Sequence, residues 1–344
     1  MCASAGATGS DTALDHRLAV GPKSQNYVTY KRRKPLLPGM KLRNVVGGAI
    51  GAVGATAVAN RVLASRASEL EPPLDGAQRT YRWRGFDVSY TEAGDPDDPD
   101  LVLFHGVNAA ASSHEWRRVF DALAEDYRVI APDLPGFGRS DRPPLTYSAS
   151  LYQTFVRDFL ADESDEAVVV ASSLVGAYVA AVADETDASR LVLVCPTATS
   201  IPGRRVWVRS LLRAPVVGQG IFNLMVSERG IRYFHDDHGY HDMGNLDDET
   251  VAYEWRTAHQ PGARYATASF LSGHLDPDID LAAALGDLDV PMTLVWGQES
   301  DLPDLETGRE LAAAADVELV SIGESALLPH VEHPEEFLAV VTGE

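Results

Sequence analysis

A pair of serines at the end of an apolar stretch is the first feature of this sequence that could do chemistry. Residues 167–183 read AVVVASSLVGAYVAAVA, an apolar run followed by two serines and an alanine-rich helix. A tight strand-to-helix turn, usually G-x-S-x-G, can hold a serine at strained backbone angles and present its hydroxyl as a nucleophile. Here Ala171 and Val175 stand where the glycines are expected. The pattern predicts Ser173 as a candidate nucleophile, or alternatively as the cap of the helix that follows.

Val175 adds a difficulty for this turn. A β-branched residue two positions after the nucleophile should crowd the neighbouring strand, at a cost on the order of 1–3 kcal/mol unless the turn relaxes. We therefore expect Ser173 to be less strained and less exposed than the nucleophile of an ordinary turn of this kind.

The elements around the serine predict an α/β protein. From about residue 80, continuous apolar runs such as LVLFHG (101–106) and MTLVWG (292–297) alternate with amphipathic helices. Such runs are typical of a mostly parallel sheet that helices cover on both faces. Between residues 198 and 287 the alternation stops, and we expect a helical cap there, inserted between two strands.

Five segments are predicted from these patterns. A basic, disordered extension precedes a Gly/Ala-rich apolar segment, and two stretches of α/β core enclose the cap. The extension comprises residues 1–44 and the apolar segment residues 45–64. The core comprises residues 80–197 and 288–344, and the cap residues 198–287.

The order of the motifs resembles the α/β-hydrolase fold family over roughly residues 80–344. The resemblance is carried by LVLFHGVNAAASSHEW, RVIAPDLPGFGRSDRP, VVVASSLVGAYVA, TLVWG and LPHVEHPEEF. It implies an α/β-hydrolase fold, with a mostly parallel sheet flanked by helices and a helical cap. It also implies that Ser173 is the nucleophile and that the backbone N–H groups of Val107 and Leu174 form the oxyanion hole.

The family's other two catalytic residues are not at their expected positions. The acid should follow the Trp-Gly pair as W-G-x-x-D, but Ser300 stands there and Asp301 comes one residue later. The histidine should lie seven residues before Pro334, where the sequence has Leu327. Asp301 and His330 are the substitute candidates for acid and base, and each needs its loop to shift. A serine without a base within hydrogen-bond reach is a weak nucleophile.

Candidate ligand contacts come from the strand ends and the cap. We expect a pocket between them, lined by His105, Asn108, Trp207, Phe222 and Tyr253. The resemblance makes His105 a structural residue rather than the base. We predict no cofactor, because no flavin, nicotinamide or haem motif occurs.

A cluster of histidines and aspartates, YFHDDHGYHDMGNLDDE (233–249), could bind a divalent metal. A defined site needs fixed geometry and an orienting second shell. A solvated acidic loop is the favoured interpretation, and no metal site is predicted.

The charge distribution excludes nucleic acid as a partner. Residues 42–344 carry 22 arginines, 48 acidic residues and no lysine, net −26, whereas residues 1–41 carry seven basic and two acidic groups, net +5. Nucleic-acid binding needs a basic footprint, which the body of the chain lacks. A lysine-free acidic body resembles the proteins of salt-accumulating halophiles. Only two cysteines occur, Cys2 and Cys195, so no disulfide framework is expected.

The segment 45–64 leaves the localisation open. Residues 45–59 form a 15-residue run without charge, shorter than a membrane-spanning helix requires. A basic flank and the Ala57-Val58-Ala59 triplet are also typical of a signal peptide. The segment is either a membrane anchor or export signal, or an amphipathic or disordered lead-in, and the protein is cytoplasmic or membrane-associated accordingly.

Two functions stay open at this stage. The first is hydrolysis of a small ester, amide or lactone through Ser173. The second is binding of a small apolar ligand or a protein partner, without turnover, between cap and sheet. A weaker third is a membrane-tethered protein whose cap meets lipid. The sequence decides neither the substrate nor the oligomeric state.

Overall fold

The structure, a computed structural model, describes residues 42–343 of the chain. The chain divides between Gly47 and Gly48, and the sheet and the candidate site belong to the unit from Gly48 onward. The predicted extension lies outside the described residues up to residue 41. Segment 45–64 falls within one helix, α1 (Leu42–Arg66).

Eight strands form a single sheet in the order β1-β2-β4-β3-β5-β6-β7-β8. β1 pairs antiparallel with β2 and β2 with β4, and the remaining pairs are parallel. The strands are β1 (Ala77–Trp83), β2 (Phe86–Ala93), β3 (Asp100–Phe104), β4 (Arg128–Pro132), β5 (Val168–Ser172), β6 (Arg190–Val194), β7 (Met292–Gly297) and β8 (Glu318–Ile322). The predicted α/β-hydrolase fold is confirmed.

Helices cover both faces of this sheet. Neighbouring residues of a strand point to opposite faces, so Val102 and Phe104 enter one buried cluster while Leu101 and Leu103 enter the other. This explains why the central strands are apolar without alternation. The covering helices are α2 (Phe120–Leu123), α3 (Ala149–Glu163), α4 (Leu174–Ala180), α11 (Leu305–Ala315), α12 (Pro329–Glu332) and α13 (Pro334–Thr342).

The chain between β6 and β7 forms a helical insertion with its own small core. Leu212, Phe222, Val226 and Ala268 are buried together there. Side chains of Ser227 and Asp247 cap two of its helices by accepting hydrogen bonds from backbone N–H groups. The helices are α5 (Val206–Arg213), α6 (Val217–Met225), α7 (Glu228–Phe234), α8 (Asp248–Ala258), α9 (Arg264–Phe270) and α10 (Leu281–Gly286).

None of the described helices, α1 to α13, has the length and apolar character needed to cross a membrane.

Gly297, at the end of β7, lies against the backbone of the loop that follows β8. A Cβ atom at this position would overlap the carbonyl oxygens of Ser325 and Ala326. The Trp-Gly pair of the sequence is therefore a packing requirement, because only glycine lets the loop after β8 pass this close to the end of β7.

We expect Gly297→Ala to lower the free energy of unfolding by about 1–3 kcal/mol or more, because backbone atoms must move to admit the methyl group. Gly54→Ala is the matched control, since a Cβ at Gly54 meets nothing within 4 Å. That control should be neutral or stabilising by up to about 1 kcal/mol. Urea denaturation measures both, and equal stability of Gly297→Ala and wild type would contradict the packing argument.

Candidate functional site

Ser173 lies in a strained turn between β5 and α4. Its backbone angles are φ 55° and ψ −127°, which a non-glycine residue rarely adopts. The neighbouring strand end holds this geometry, because the Ser173 N–H donates to the carbonyl of Val194 at 2.8 Å. The side chain forms no capping hydrogen bond to α4. The helix-cap alternative therefore does not describe this serine.

Val175 does not relax the turn, contrary to our expectation. Its side chain is fully buried in the core, and Ser173 keeps its positive φ. The close approach to the neighbouring chain falls instead on Gly176, where a Cβ would lie 2.9 Å from the Cβ of Pro196. The small residue that the turn needs is thus one position later than the motif predicts.

The surroundings of the Ser173 hydroxyl leave it free. Ser173 is half-buried, and among the described residues no group forms a hydrogen bond with its Oγ. Within the same residues, the backbone N–H groups of Val107 and Leu174 also donate to no acceptor. The two N–H groups predicted to form an oxyanion hole are therefore not bonded to any other group of the described residues.

Ser300, at the position predicted for the acid, has a structural role. Ser300 is buried, and its hydroxyl donates to the carbonyl of Pro303 at 2.8 Å. Asp301 is exposed, with Oδ1 3.3 Å from Nδ1 of His238 in the cap. The structure therefore pairs Asp301 with His238 and not with His330, the candidate base that a catalytic acid would have to orient.

The position predicted for the base is occupied by an apolar residue, Leu327. Leu327 packs against one of the two sheet-covering clusters. His330, in α12, is fully buried against the ring of Trp116, with ring centroids 4.5 Å apart. Its Nε2 lies 3.5 Å from Oε1 of Glu115. The structure therefore pairs His330 with a carboxylate and not with Ser173.

Glu115 is a site residue that the sequence analysis did not single out. Its Oε2 accepts a hydrogen bond from the Gly106 N–H at 2.9 Å. Burial alone would raise the pKa of Glu115, but His330, with smaller effects of His105 and Ser172, holds the pKa below its usual value. Glu115 is therefore a buried carboxylate at neutral pH. The signal in the sequence was an acid directly before Trp116, a large apolar residue, in SSHEW.

Glu115 and Ser173 both lie close to Gly106. A Cβ at Gly106 would be 3.4 Å from Glu115 Oε2, 3.1 Å from Ser172 Oγ and 3.6 Å from Ser173 Cβ. Glu115 thus holds the backbone that leads directly to Val107, one of the two predicted oxyanion donors. Its contacts make it a positioning residue for the loop after β3.

The five predicted ligand contacts have different locations. His105 is buried and structural, since its Nε2 accepts from the Leu134 N–H at 3.0 Å. Trp207 is 67% exposed on α5, and Phe222 is fully buried in the cap core. Tyr253 is buried, stacks on His114 and donates to the Glu71 carbonyl at 3.1 Å. Only Asn108 of the five lines a cavity between cap and core, because the other four are packed elsewhere or point outward.

Two adjoining cavities lie between the cap and the loop after β3. The larger has a volume of about 130 Å³ and the smaller about 30 Å³. Both are lined by Asn108, Ala110, His235 and Glu254. The remaining wall of the larger cavity is mostly apolar, with Met225, Val226, Ile231, Phe234, Phe270 and Leu271.

The polar end of these cavities is formed by the buried side chain of His235 and the half-buried side chain of Glu254. Nε2 of His235 lies 2.8 and 3.0 Å from the two carboxylate oxygens of Glu254. Because a carboxylate only accepts, Nε2 carries a proton. His238 pairs with Asp237 and Asp301 instead. In the part of the chain that the structure describes, no three His, Cys, Asp or Glu side chains are placed to hold a metal ion.

Comparisons with known proteins agree on the family. A profile of the alpha/beta hydrolase family matches residues 101–340. An uncharacterised hydrolase of Bacillus subtilis, YugF, is 26% identical over 277 residues, which cover 75% of this chain and 93% of that protein. An uncharacterised protein of Mycobacterium tuberculosis is 34% identical over 121 residues, and the match spans 34% of the length of each protein.

Solved structures show the same fold. A serine hydrolase involved in carbazole degradation, CarC, superimposes with a TM-score of 0.62 at 22% identity, covering 78% of this chain and 97% of that one. The epoxide hydrolase CorEH superimposes with a TM-score of 0.63 at 21% identity, covering 78% and 97%.

We expect His330→Leu to lower the free energy of unfolding by about 3–5 kcal/mol, because it leaves the Glu115 carboxylate buried without its partner. The double variant Glu115→Gln/His330→Leu should recover part of this loss. A double variant no more stable than His330→Leu would show that the carboxylate is not the source of the cost.

The lowered pKa of Glu115 also predicts a pH dependence. A carboxyl group whose pKa is lower in the folded state stabilises the protein above its unfolded value, here 4.5, and the contribution is lost as the pH falls through the folded value. The difference in unfolding free energy between wild type and Glu115→Gln should therefore shrink below about pH 4.5. Denaturation curves between about pH 3 and pH 7 measure it, and a constant difference would exclude the linkage.

Proposed function

We propose that this chain, which belongs to the alpha/beta hydrolase family, binds a small ligand with an apolar body and a cationic or hydrogen-bond-donating end. The observation that carries the proposal is the cavity of about 130 Å³ between cap and core, apolar except for Asn108 and the His235–Glu254 pair. The names of the similar proteins include hydrolases of several kinds, which supports a small molecule as the occupant.

The size of the cavity limits the ligand. An apolar cavity of about 150 Å³ accommodates one benzene molecule, and the volume here is about 130 Å³. The ligand part that enters is therefore no larger than one aromatic ring or a short branched alkyl group. Met225 and Phe234 are partly exposed and stand where the cavity meets the surface.

The polar end selects the ligand's functional group. His235 uses one lone pair on each oxygen of Glu254, and each carboxylate oxygen can accept again. Asn108 Oδ1 accepts from the Ala110 N–H at 2.7 Å, so its amide NH₂ remains to donate. A group that donates to Glu254 fits this end, and an anionic group is repelled.

Binding without ordinary turnover follows from the surroundings of Ser173. Among the described residues no imidazole forms a hydrogen bond with its Oγ, and the family's acid and base positions hold Ser300 and Leu327. A serine without a base is deprotonated too rarely at neutral pH to attack an ester at an enzymatic rate.

The ligand proposal is tested with three probes of one size, benzylamine, benzyl alcohol and benzoate, by isothermal titration calorimetry. We expect affinity in that order, because hydrogen bonds to a charged group contribute about 1.5–3 kcal/mol. Glu254→Gln should weaken benzylamine about tenfold or more and change benzyl alcohol by less than about threefold.

Val226→Phe is the blocking variant, since Val226 lines the cavity and is buried. Val217→Phe is its control, because Val217 is 44% exposed. Loss of all three probes in Val226→Phe alone supports the cavity. Equal binding of benzylamine and benzoate, or binding that Val226→Phe does not change, would rule the proposal out.

A second candidate function is slow ester or amide hydrolysis through Ser173. Its support is the strained turn, the unbonded hydroxyl and the two free N–H groups of Val107 and Leu174. A fluorophosphonate probe tests it in wild type and Ser173→Ala. Labelling that Ser173→Ala abolishes favours turnover, and its absence favours binding alone.

Reconstruction of the missing partners separates a lost triad from a collapsed turn. We expect Ser300→Asp/Leu327→His to raise kcat/KM for p-nitrophenyl acetate by at least about a hundredfold, the usual contribution of a general base. The gain should vanish when Ser173→Ala is added. No gain in a folded variant would show that the turn itself cannot support attack.

A further inference from the structure

The acidic residues of this chain are unevenly distributed along the sequence. Asp and Glu number 50 in 344 residues, yet residues 16–68 and residues 188–227 contain neither. The second stretch carries five arginines. Two long stretches without acidic residues in so acidic a chain suggest that one part of its surface faces something other than water.

The structure brings these stretches together from residue 48 onward. Asn60 on α1 donates to the Val216 carbonyl at 2.9 Å and accepts from Asn223 on α6 at 3.0 Å. A Cβ at Gly220 would lie 2.6 Å from Thr56 Cγ2, so α6 passes close to α1. The part of the first stretch from residue 48 onward therefore adjoins the second stretch along α6.

Large apolar side chains are exposed on this surface. Trp207 on α5 is 67% exposed, Leu224 on α6 is 76% exposed and Val58 on α1 is 65% exposed. The opposite side of α5 packs into the cap through Val208 and Leu212. We call the outward surface formed by Val58, Arg204, Arg205, Trp207, Leu211 and Leu224 the acid-free face.

The arginines of this face are not neutralised by the protein. Arg204 and Arg205 are exposed, and within the described residues no carboxylate lies at ion-pair distance from either. Arginines elsewhere, such as Arg128 and Arg157, are paired with acids. The positive charge of the acid-free face is thus available to an external anion.

We propose that the acid-free face binds the surface of an anionic lipid bilayer. Exposed tryptophan and leucine insert at the boundary between headgroups and acyl chains, while neighbouring arginines attract anionic headgroups. A carboxylate on such a surface would be repelled, which accounts for the absence of acids. The net −26 of residues 42–344 turns the remaining surface away from the bilayer.

A second copy of the chain fits this face less well. A symmetric dimer places the same patch on both sides of the interface. Arg204 and Arg205 would then face one another without an acid on either patch to pair them, and like charges opposed at an interface lower affinity.

Co-sedimentation of the full chain with phosphatidylglycerol vesicles and with phosphatidylcholine vesicles tests the proposal. We expect binding to the first only, weaker at high salt, with a blue shift of tryptophan fluorescence that Trp207→Ser abolishes. Arg204→Gln/Arg205→Gln should lower the partition coefficient about fivefold for each arginine removed. Leu224→Ser should lower it further.

Matched controls are Arg309→Gln and Leu302→Ser, exposed residues outside the face, which should bind like wild type. Residues 1–41 are basic and can attract anionic lipid by themselves. Only a loss of binding in the variants of the acid-free face therefore assigns binding to that face. Unchanged binding of the Arg204, Arg205, Trp207 and Leu224 variants would overturn the proposal, even if vesicles bind. So would a concentration-dependent dimer in sedimentation equilibrium that Leu224→Ser dissociates.

Discussion

The buried carboxylate of Glu115 connects the parts of the chain that form the floor of the site. It accepts from the Gly106 N–H at the end of β3 and faces His330 on α12. A charge removed from water is tolerated only with compensating partners, so the helix after β8 and the loop after β3 must keep these positions. Glu115 thereby fixes the backbone course from Gly106 to Val107 and keeps His330 buried on α12. His330, the histidine nearest in sequence to the expected base position, is therefore part of the packed core.

A second buried carboxylate, Glu332, connects the cap to the core. It accepts from the N–H groups of His241 and Asp242 in the cap and from Ala326 in the loop after β8. The loop that would carry a catalytic histidine is thus held from both sides. With Ser300 bonded to Pro303, the acid and base positions of the family belong to the structural framework in this chain, while the turn of Ser173 retains its strain.

The sequence predicted the features that depend on local pattern. Apolar runs without alternation indicated strands buried on both faces, and the resemblance to the α/β-hydrolase family implied that Ser300 and Leu327 stand at its acid and base positions. The Glu115–His330 pair was not predictable, because its members are far apart in the chain and meet only through the packing of α12. The aromatic content of the cap did not reveal which aromatic side chains face the cavity, so Trp207 and Phe222 were wrongly expected to line it. The spacing of Val208 and Leu212, one helical turn apart, would have indicated that Trp207 points outward.

The three hydrogen bonds of Glu332 have a kinetic consequence for ligand exchange. A cap joined to the core through a buried carboxylate cannot lift as a rigid lid without leaving that charge unsatisfied, which is costly. Exchange with solvent must then proceed through rotamer changes of the partly exposed Met225 and Phe234 at the cavity mouth. Such side-chain motions are fast, whereas lid opening is commonly slower. For the ligand proposed above, we therefore expect the residence time to depend on a narrow side entrance and not on domain movement.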